Sequence, residues 1–542
     1  MDSKRLLMLL LWPLLAGGSA ACGGSDEPRG TEEPPDIAPE ALALPAPDDD
    51  LHAFVVDEAR ALAARPFRAP DPGEAARLAT LTYGQVRAIR FRADSALWKG
   101  EAAFEVQFFH PGGGFVDPVR IASVASGQVM PLPVDLADYD VGVELDGVDL
   151  TLPPDAGPVG FRVLHPMNDA DRFDEIVSFL GASYFRLVGP GQVYGLSSRG
   201  VAVDVGGPDG EEFPAFVAFW LERPEPEARS VTFYGLLDGP SLSGAYRFDL
   251  TPGDPGTAGP GGTVMEVDAT LYARRAVPRL GVAPLTSMYL HGTFRSGGVD
   301  DVRPRVHDSE GLLMETSRGE WIWRPLTNRA ALQATVLRDR GPRGFGLVQR
   351  SRTFADYLDL EAQYHRRPSQ WVEPLDGNWG DGGVALFEIP TASEFADNIV
   401  AYWAPDGGLA EGEERRFRYR LRTFDAELSR QSVARVARTR IGWDGLPGQA
   451  DPPPRTRRRV VVDFEGGSLP DLGNDVPVEA VVSTSAGTVE DVRVQRLPDG
   501  GRRATFALIP DGDRPADMRL LLRGDEALTE TWSYLWKPDD GV

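Results

Sequence analysis

A two-residue repeat of polarity runs through most of this chain and commits it to sheets. In MEVDATLYARR (Met265 to Arg275), Val267, Ala269, Leu271 and Ala273 fall on one side while Glu266, Asp268 and Thr270 fall on the other, as in a strand with one buried face. AFEVQFFH (Ala103 to His110), VTFYGLLDG (Val231 to Gly239), AYRFDLTPG (Ala245 to Gly253) and RFRYRLRTF (Arg416 to Phe424) repeat the pattern. Glycines and prolines are abundant, but they are scattered between the apolar runs. That distribution suits a turn-rich all-β protein built of packed sheets.

At 542 residues the chain exceeds one ordinary core, so two or more folded units are expected. DPPPRTRRR (Asp451 to Arg459) joins three prolines to a basic run, which reads as an interdomain linker over 446–458. Beyond it VVVDFEGG, VPVEAVVSTSAG, VRVQRLPDG, RATFALIPDG and MRLLLRGD give short strands at regular spacing, the pattern of a small immunoglobulin-like sandwich over 459–542. The larger sandwich takes 51–445. It opens with a helical stripe at Leu51, Phe54, Val55, Ala59 and Leu62, expected as a helix from Leu51 to Arg65. Residues 23–50, rich in Pro, Asp and Glu, read as a tether that cannot form a core.

The first 22 residues carry a short basic region, an apolar stretch from Leu6 to Leu15, and small residues leading to Cys22. The apolar run is too short for a membrane span and reads as a secretory signal. Cys22 is the only cysteine, so no disulfide can form within one chain and burial must supply stability. Its setting resembles a bacterial lipoprotein box, with Ser19 where a branched apolar residue is usual; an ordinary signal with an unmodified cysteine is the alternative. Acyl chains on Cys22 would hold the protein on a membrane leaflet. Gly23 and Gly24 offer no inner-membrane retention signal, which favours the outer membrane's periplasmic face.

A formal net charge of −25 repels phosphate backbones and anionic membranes, so nucleic acid is excluded as a partner while a neutral glycan feels no penalty. Phosphate-binding loops, paired-cysteine sites, nucleophile elbows and zinc-protease helices are missing. The six histidines (His52, His110, His165, His291, His307 and His365) are spread singly, against a multi-histidine metal centre. No metal or organic cofactor is expected.

What remains is carboxylates beside aromatics. Trp321, Trp323, Trp371, Trp379 and Trp403 are interleaved with acidic residues, the side-chain mix of a glycan groove or, equally, of a large β core. Glycoside hydrolysis needs one protonated carboxyl and one carboxylate that activates water, ~6.5–9.5 Å apart where configuration inverts. RVHDSEG (Arg305 to Gly311) offers Asp308 and Glu310 beside His307, with Gly311 to turn on; Asp381, Glu394 and Asp397 are further candidates. Chemistry alone does not choose among them.

GASYFRLVGPGQVYGLSSRGVAVDVG (Gly181 to Gly206), GEEFPAFVAFWLERP (Gly210 to Pro224), APLTSMYL (Ala283 to Leu290), RPRVHDSEGL (Arg303 to Leu312), GEWIWRPL (Gly319 to Leu326), PRGFGLVQR (Pro342 to Arg350), RRPSQWVEP (Arg366 to Pro374) and EIPTASEFADNIVAYW (Glu388 to Trp403) resemble the periplasmic glucans biosynthesis proteins G and D, from about Tyr83 to the C-terminus. The resemblance implies a large cleft-bearing β-sandwich, a galactose-mutarotase-like supersandwich, followed by a small immunoglobulin-like β-sandwich. It also implies a role in making osmoregulated periplasmic glucans with β-1,2-linked backbones. Some members are similar to inverting endo-β-1,2-glucanases; others look inactive, which leaves a non-catalytic glucan-binding assembly factor as the alternative.

By the same resemblance Asp397, in the D-N-I-V segment, would be the general acid and Asp308, in V-H-D-S, the general base. Trp321, Trp323, Trp371, Tyr289, Arg343, Arg350, His307 and Glu310 are expected to line the groove. Glu310 stands where the family usually has aspartate, and NWGDGG carries one residue more than the family pattern. Apolar Phe395, Ile399 and Val400 around Asp397 favour a raised pKa, whereas Asp308 would keep its charge more easily. A homodimer is a further expectation from the resemblance.

Overall fold

The computed structural model describes residues 50–254, 261–292, 300–376, 379–473 and 476–538. The expected signal peptide, Cys22 and nearly all of the expected tether lie outside them. Among the described residues no helix is long and apolar enough to cross a membrane.

The chain is all-β apart from short helices. The leading helix spans Leu51–Ala63, ending slightly before Arg65. Asp50 caps it by accepting from the His52 and Ala53 amides at 3.0 and 3.2 Å, satisfying donors that a helix start leaves orphaned. Its buried Leu51, Val55 and Ala59 pack with Trp220, Tyr234 and Ala245 on the outer side of the largest sheet.

Beside two two-stranded sheets, two large sheets form the body of the first unit. One has ten strands, running in space from Glu105–Phe108 through Gly160–Asp169, Arg172–Leu180, Tyr184–Leu187, Ser197–Arg199, Leu280–Ser287, Ile399–Pro405 and Asp381–Glu388 to Gln333–Arg340, with Val201–Val203 also paired to Leu280–Ser287. The other contains the antiparallel run Ala215–Glu222, Val231–Asp238, Leu242–Thr251, Val264–Ala273, Glu414–Phe424, Ser369–Pro374, Gly344–Val348, Gly311–Glu315 and Trp321–Pro325.

Phenylalanines from both sheets meet between them. Phe161 approaches Phe219 at 4.9 Å, Phe179 approaches Phe233 at 5.4 Å, and Phe185 approaches Phe248 at 5.8 Å between ring centroids, within the favoured range for edge-to-face packing. Val267, Ala269, Leu271 and Ala273 enter this core. On the opposite face Glu266 and Asp268 pair with Arg420 and Arg416, as the alternation requires.

The expected linker 446–458 needs correction. Arg435–Trp443, before it, pairs antiparallel with Arg458–Glu465, after it. The segment therefore connects neighbouring strands inside the second unit. Its basic residues are neutralised locally: Asp444 accepts from Arg457 and Arg459 at 2.7 Å each, and Arg457 also reaches Glu490 and Asp491. Arg455 lies 4.0 Å from the centroid of the Trp443 ring, whose Nε1 donates to Pro453 O. A proline-rich loop can pack when an indole and a carboxylate receive it.

The second unit is a two-layer sandwich. Arg435–Trp443, Arg458–Glu465, Arg502–Ile509 and Thr488–Arg496 form a four-stranded sheet, and Glu479–Thr484, Ala516–Arg523 and Thr531–Trp536 form the facing layer. Val460, Val462, Phe464 and Phe506 pack with Met518, Leu520, Leu522 and Trp532. Thr531–Trp536 also runs parallel to Trp321–Pro325, so the facing layer continues the largest sheet of the first unit.

Gly311, read above as a turn residue, opens the strand Gly311–Glu315. A Cβ there would lie 2.3 Å from atoms of the Trp323 ring. Gly311→Ala must displace that indole, an overpacking expected to cost about 1–3 kcal/mol; a chemical denaturation midpoint equal to the parent's would refute it.

Candidate active site

Asp308 and Asp397 belong to segments that grip the same short stretch of backbone. The Asp308 amide donates to Met288 O at 2.8 Å. One residue on, Tyr289 donates its amide to Asn398 Oδ1 at 2.8 Å, and Asn398 Nδ2 returns a bond to Tyr289 O at 3.0 Å. Asn398 adjoins Asp397 and immediately precedes the strand Ile399–Pro405. Paired amide bonds of this kind fix a chain segment, because breaking them would leave buried polar groups unsatisfied. Residues 89 apart in sequence are thereby brought to one place.

The surroundings of the two carboxyls differ. Asp308 is buried against Arg367, with which it forms an ion pair. Burial pushes its pKa up, while the Arg367 charge and hydrogen bond pull it back. Arg367 is held over the Tyr364 ring at 4.1 Å and donates from Nε to Ala362 O at 3.2 Å.

Asp397 keeps part of its surface open, but its Oδ2 is enclosed without a hydrogen-bond partner. Burial raises this carboxyl to about 6; the charge of Asp308 adds to the rise, and Arg186, Arg199 and Arg367 oppose it. The Asp308 charge thus acts on Asp397, and Arg186 and Arg367 act on both carboxyls.

Arg186 donates to Ser197 Oγ at 2.8 Å. Arg199 donates to Thr286 Oγ1 at 2.9 Å, pairs with Glu211, and lies between the rings of Tyr184 and Phe213 at 4.7 and 5.5 Å. These arginines, with Arg367, are the site residues that the sequence reading missed. Arg186 in YFRL and Arg199 in LSSRG were visible as lone cations in apolar strand runs, and a buried guanidinium needs a carboxylate nearby.

Glu394 accepts from Tyr364 OH and, at 2.8 Å, from Arg303, which also holds Asp359 and Asp301 at 2.9 and 2.7 Å. It braces three loops beside the aspartates. Asp381 is over half exposed and pairs with Arg340 at the sheet edge, away from the pair.

Of the expected groove residues, Tyr289, His307, Glu310, Trp323 and Arg350 line one cavity together with Arg305, Ser351 and Arg352. Trp321, Trp323 and Trp371 are 7, 4 and 2% exposed and belong to the core shared with the second unit, while Trp379 and Trp403 are buried in the main core. Trp321, Trp371, Trp379 and Trp403 are packed in the cores, whereas Trp323 also lines that cavity. Composition could not separate a lining indole from a packed one.

Arg350 lies 3.6 Å from the Trp323 ring centroid, donates to Val436 O, and pairs with the fully buried Glu530. Arg343 forms a half-exposed ion pair with Glu315. Glu310 accepts from the amides of Arg350 and Ser351 at 3.1 and 2.8 Å and so ties the Asp308 turn to the neighbouring strand.

His307 stacks on Tyr289 at 5.2 Å and places Nδ1 2.9 Å from Gln349 Oε1. Burial lowers its pKa to about 4, so the ring is neutral at physiological pH. Tyr289 and His307 thus stack as one neutral face of that cavity.

The fold is that of an all-β protein of packed sheets, and comparison of the whole chain gives its family. Residues 52–536 match the model described as "Periplasmic glucan biosynthesis protein, MdoG". The chain belongs to this family, whose members act in periplasmic glucan biosynthesis. It is 44% identical over 516 residues to "Glucans biosynthesis protein D 1" of Ralstonia nicotianae, covering 92% of this chain and 93% of that one. It is also 42% identical over 488 residues to "Glucans biosynthesis protein G 1" of Shewanella oneidensis, covering 89 and 86%. "Glucans biosynthesis protein G" of Rhodopseudomonas palustris is 42% identical over 482 residues, covering 88 and 91%.

Proposed function

We propose that this chain hydrolyses linear β-1,2-glucan as an inverting endo-glucanase in the making of periplasmic glucans. Asp397 gives its proton to the glycosidic oxygen as the bond to the leaving sugar breaks. Asp308, ion-paired with Arg367, takes a proton from the water that attacks the anomeric carbon from the opposite face. The reading is carried by the contrast between the two carboxyls: one has a sealed, unpartnered oxygen and a pKa raised to about 6, and the other is locked to a guanidinium. Environments that separate two acids in this way assign their roles.

The sign of the pH dependence follows. An acid with a pKa of about 6 is protonated below that value, so kcat should fall about tenfold per pH unit above it. A profile of reducing-end release between pH 5 and 8 tests this; a rate that climbs through that window contradicts the acid role.

One observation favours a second reading, a glucan holder without hydrolysis. Asp308 is only 4% exposed and already engaged by Arg367, which leaves little of it for water. Calorimetric binding of linear β-1,2-glucan without release of reducing ends would select the holder.

We also propose that acyl chains on Cys22 anchor the protein to the outer membrane's periplasmic face, an assignment supported by the residues around that cysteine. Cys22→Ser should then move the protein into the soluble fraction; unchanged membrane association would refute the anchor.

A further inference from the structure

Two phenyl rings stand open beside the paired aspartates. Phe395 is 67% exposed and Phe213 is 52% exposed. Scattered exposed apolar side chains need no explanation, but each of these two is tied to the surroundings of Asp397. Phe395 leaves the turn that carries Asp397, two residues ahead of it. Phe213 lies against Arg199, whose charge acts on Asp397. Arg199 is itself pinned by Thr286, Glu211 and the Tyr184 ring, so the Phe213 ring rests on a fixed backing.

The charge of the chain narrows what could cover the rings. At −25 it disfavours anionic membranes and acidic partners, whereas a glucan is neutral. A glucopyranose presents a flat face of C–H bonds, and the face of a phenyl ring carries the negative side of its quadrupole. Stacking one on the other buries apolar area on both while the hydroxyls stay in water or reach Arg199 and Glu211.

We propose that Phe213 and Phe395 are sugar-stacking platforms that seat glucosyl units adjoining the one held at Asp397. The assignment rests on the reading of the site as a glucan cleft and adds the residues that grip the strand.

The test uses the full chain carrying Asp397→Asn, so that glucan is bound but not cut. Linear β-1,2-glucan is titrated calorimetrically into this parent and into derivatives with Phe213→Ala, Phe395→Ala or both, and with each ring changed to Trp. Each alanine is expected to weaken binding by about 3- to 10-fold, the pair by roughly the product, and tryptophan to retain affinity. In the chain with Asp397 intact the same alanines should raise KM more than they lower kcat.

Both side chains are exposed, so thermal melts should match the parent, and a matching melt with weakened binding separates a lost contact from a damaged fold. Affinities within twofold of the parent in both alanine variants overturn the platform alone. A parent that binds no linear glucan overturns the platform and the glucan cleft together.

Discussion

Asp397→Asn is expected to cut release of reducing ends from linear β-1,2-glucan by about 10²–10⁴-fold, the contribution typical of a positioned acid. Asparagine keeps the shape of the side chain and its neighbours, so glucan affinity should persist. The same substitution has an opposite consequence for stability. Folding raises this carboxyl from 3.8 to about 6, so its contribution to stability is fully present below 3.8 and is lost as pH rises through about 6. Asparagine removes that loss. The variant should melt above the parent at pH 8 and together with it at pH 3.5. Reduced activity without a stability gain at pH 8 would show that the carboxyl is not strained by burial.

Glu530→Ala should destabilise the protein by about 3–5 kcal/mol, because it strands a buried cation. Glu530 is fully buried and receives Arg350, the Val436 amide at 2.8 Å and Gln431. Arg350 in turn lies on Trp323, and its amide donates to Glu310, two residues from Asp308. The carboxylate thus links the second unit to the turn that bears the proposed base.

Replacing both partners, Glu530→Leu with Arg350→Met, should recover much of the loss, since an apolar pair of similar volume avoids the unpaired charge. Denaturation midpoints of the single and double variants measure this. A single variant as stable as the parent would show that the ion pair does not hold the seam.

Much of the architecture was legible because a strand with one wet face must alternate. Val267, Ala269, Leu271 and Ala273 point inward as their spacing demands. The boundary between units was not legible at 446–458. Proline and arginine read as an unpacked linker, and only contacts distant in sequence, such as Asp444 with Arg459 and Arg457 with Glu490, turn that stretch into a packed loop.

The tryptophans were ambiguous for a related reason. An indole that lines a cleft and one that fills a core have the same composition, and the difference lies in what crosses above it. For Trp323 that is Arg350. The aspartates could be singled out through family resemblance rather than chemistry. Their arginine ring was hidden because Arg186, Arg199 and Arg367 come from three separate strands or loops. No local pattern says that such cations meet.

In the proposed reaction Asp308 strips a proton from water while Asp397 protonates the departing sugar, which inverts the anomeric carbon. Proton NMR of the first products released from linear β-1,2-glucan reads that geometry directly, before mutarotation mixes the anomers. The account predicts that new reducing ends appear first in the α configuration, and that none appear with Asp308→Asn. Products that emerge as β anomers, or no products at all from the intact chain, would contradict it.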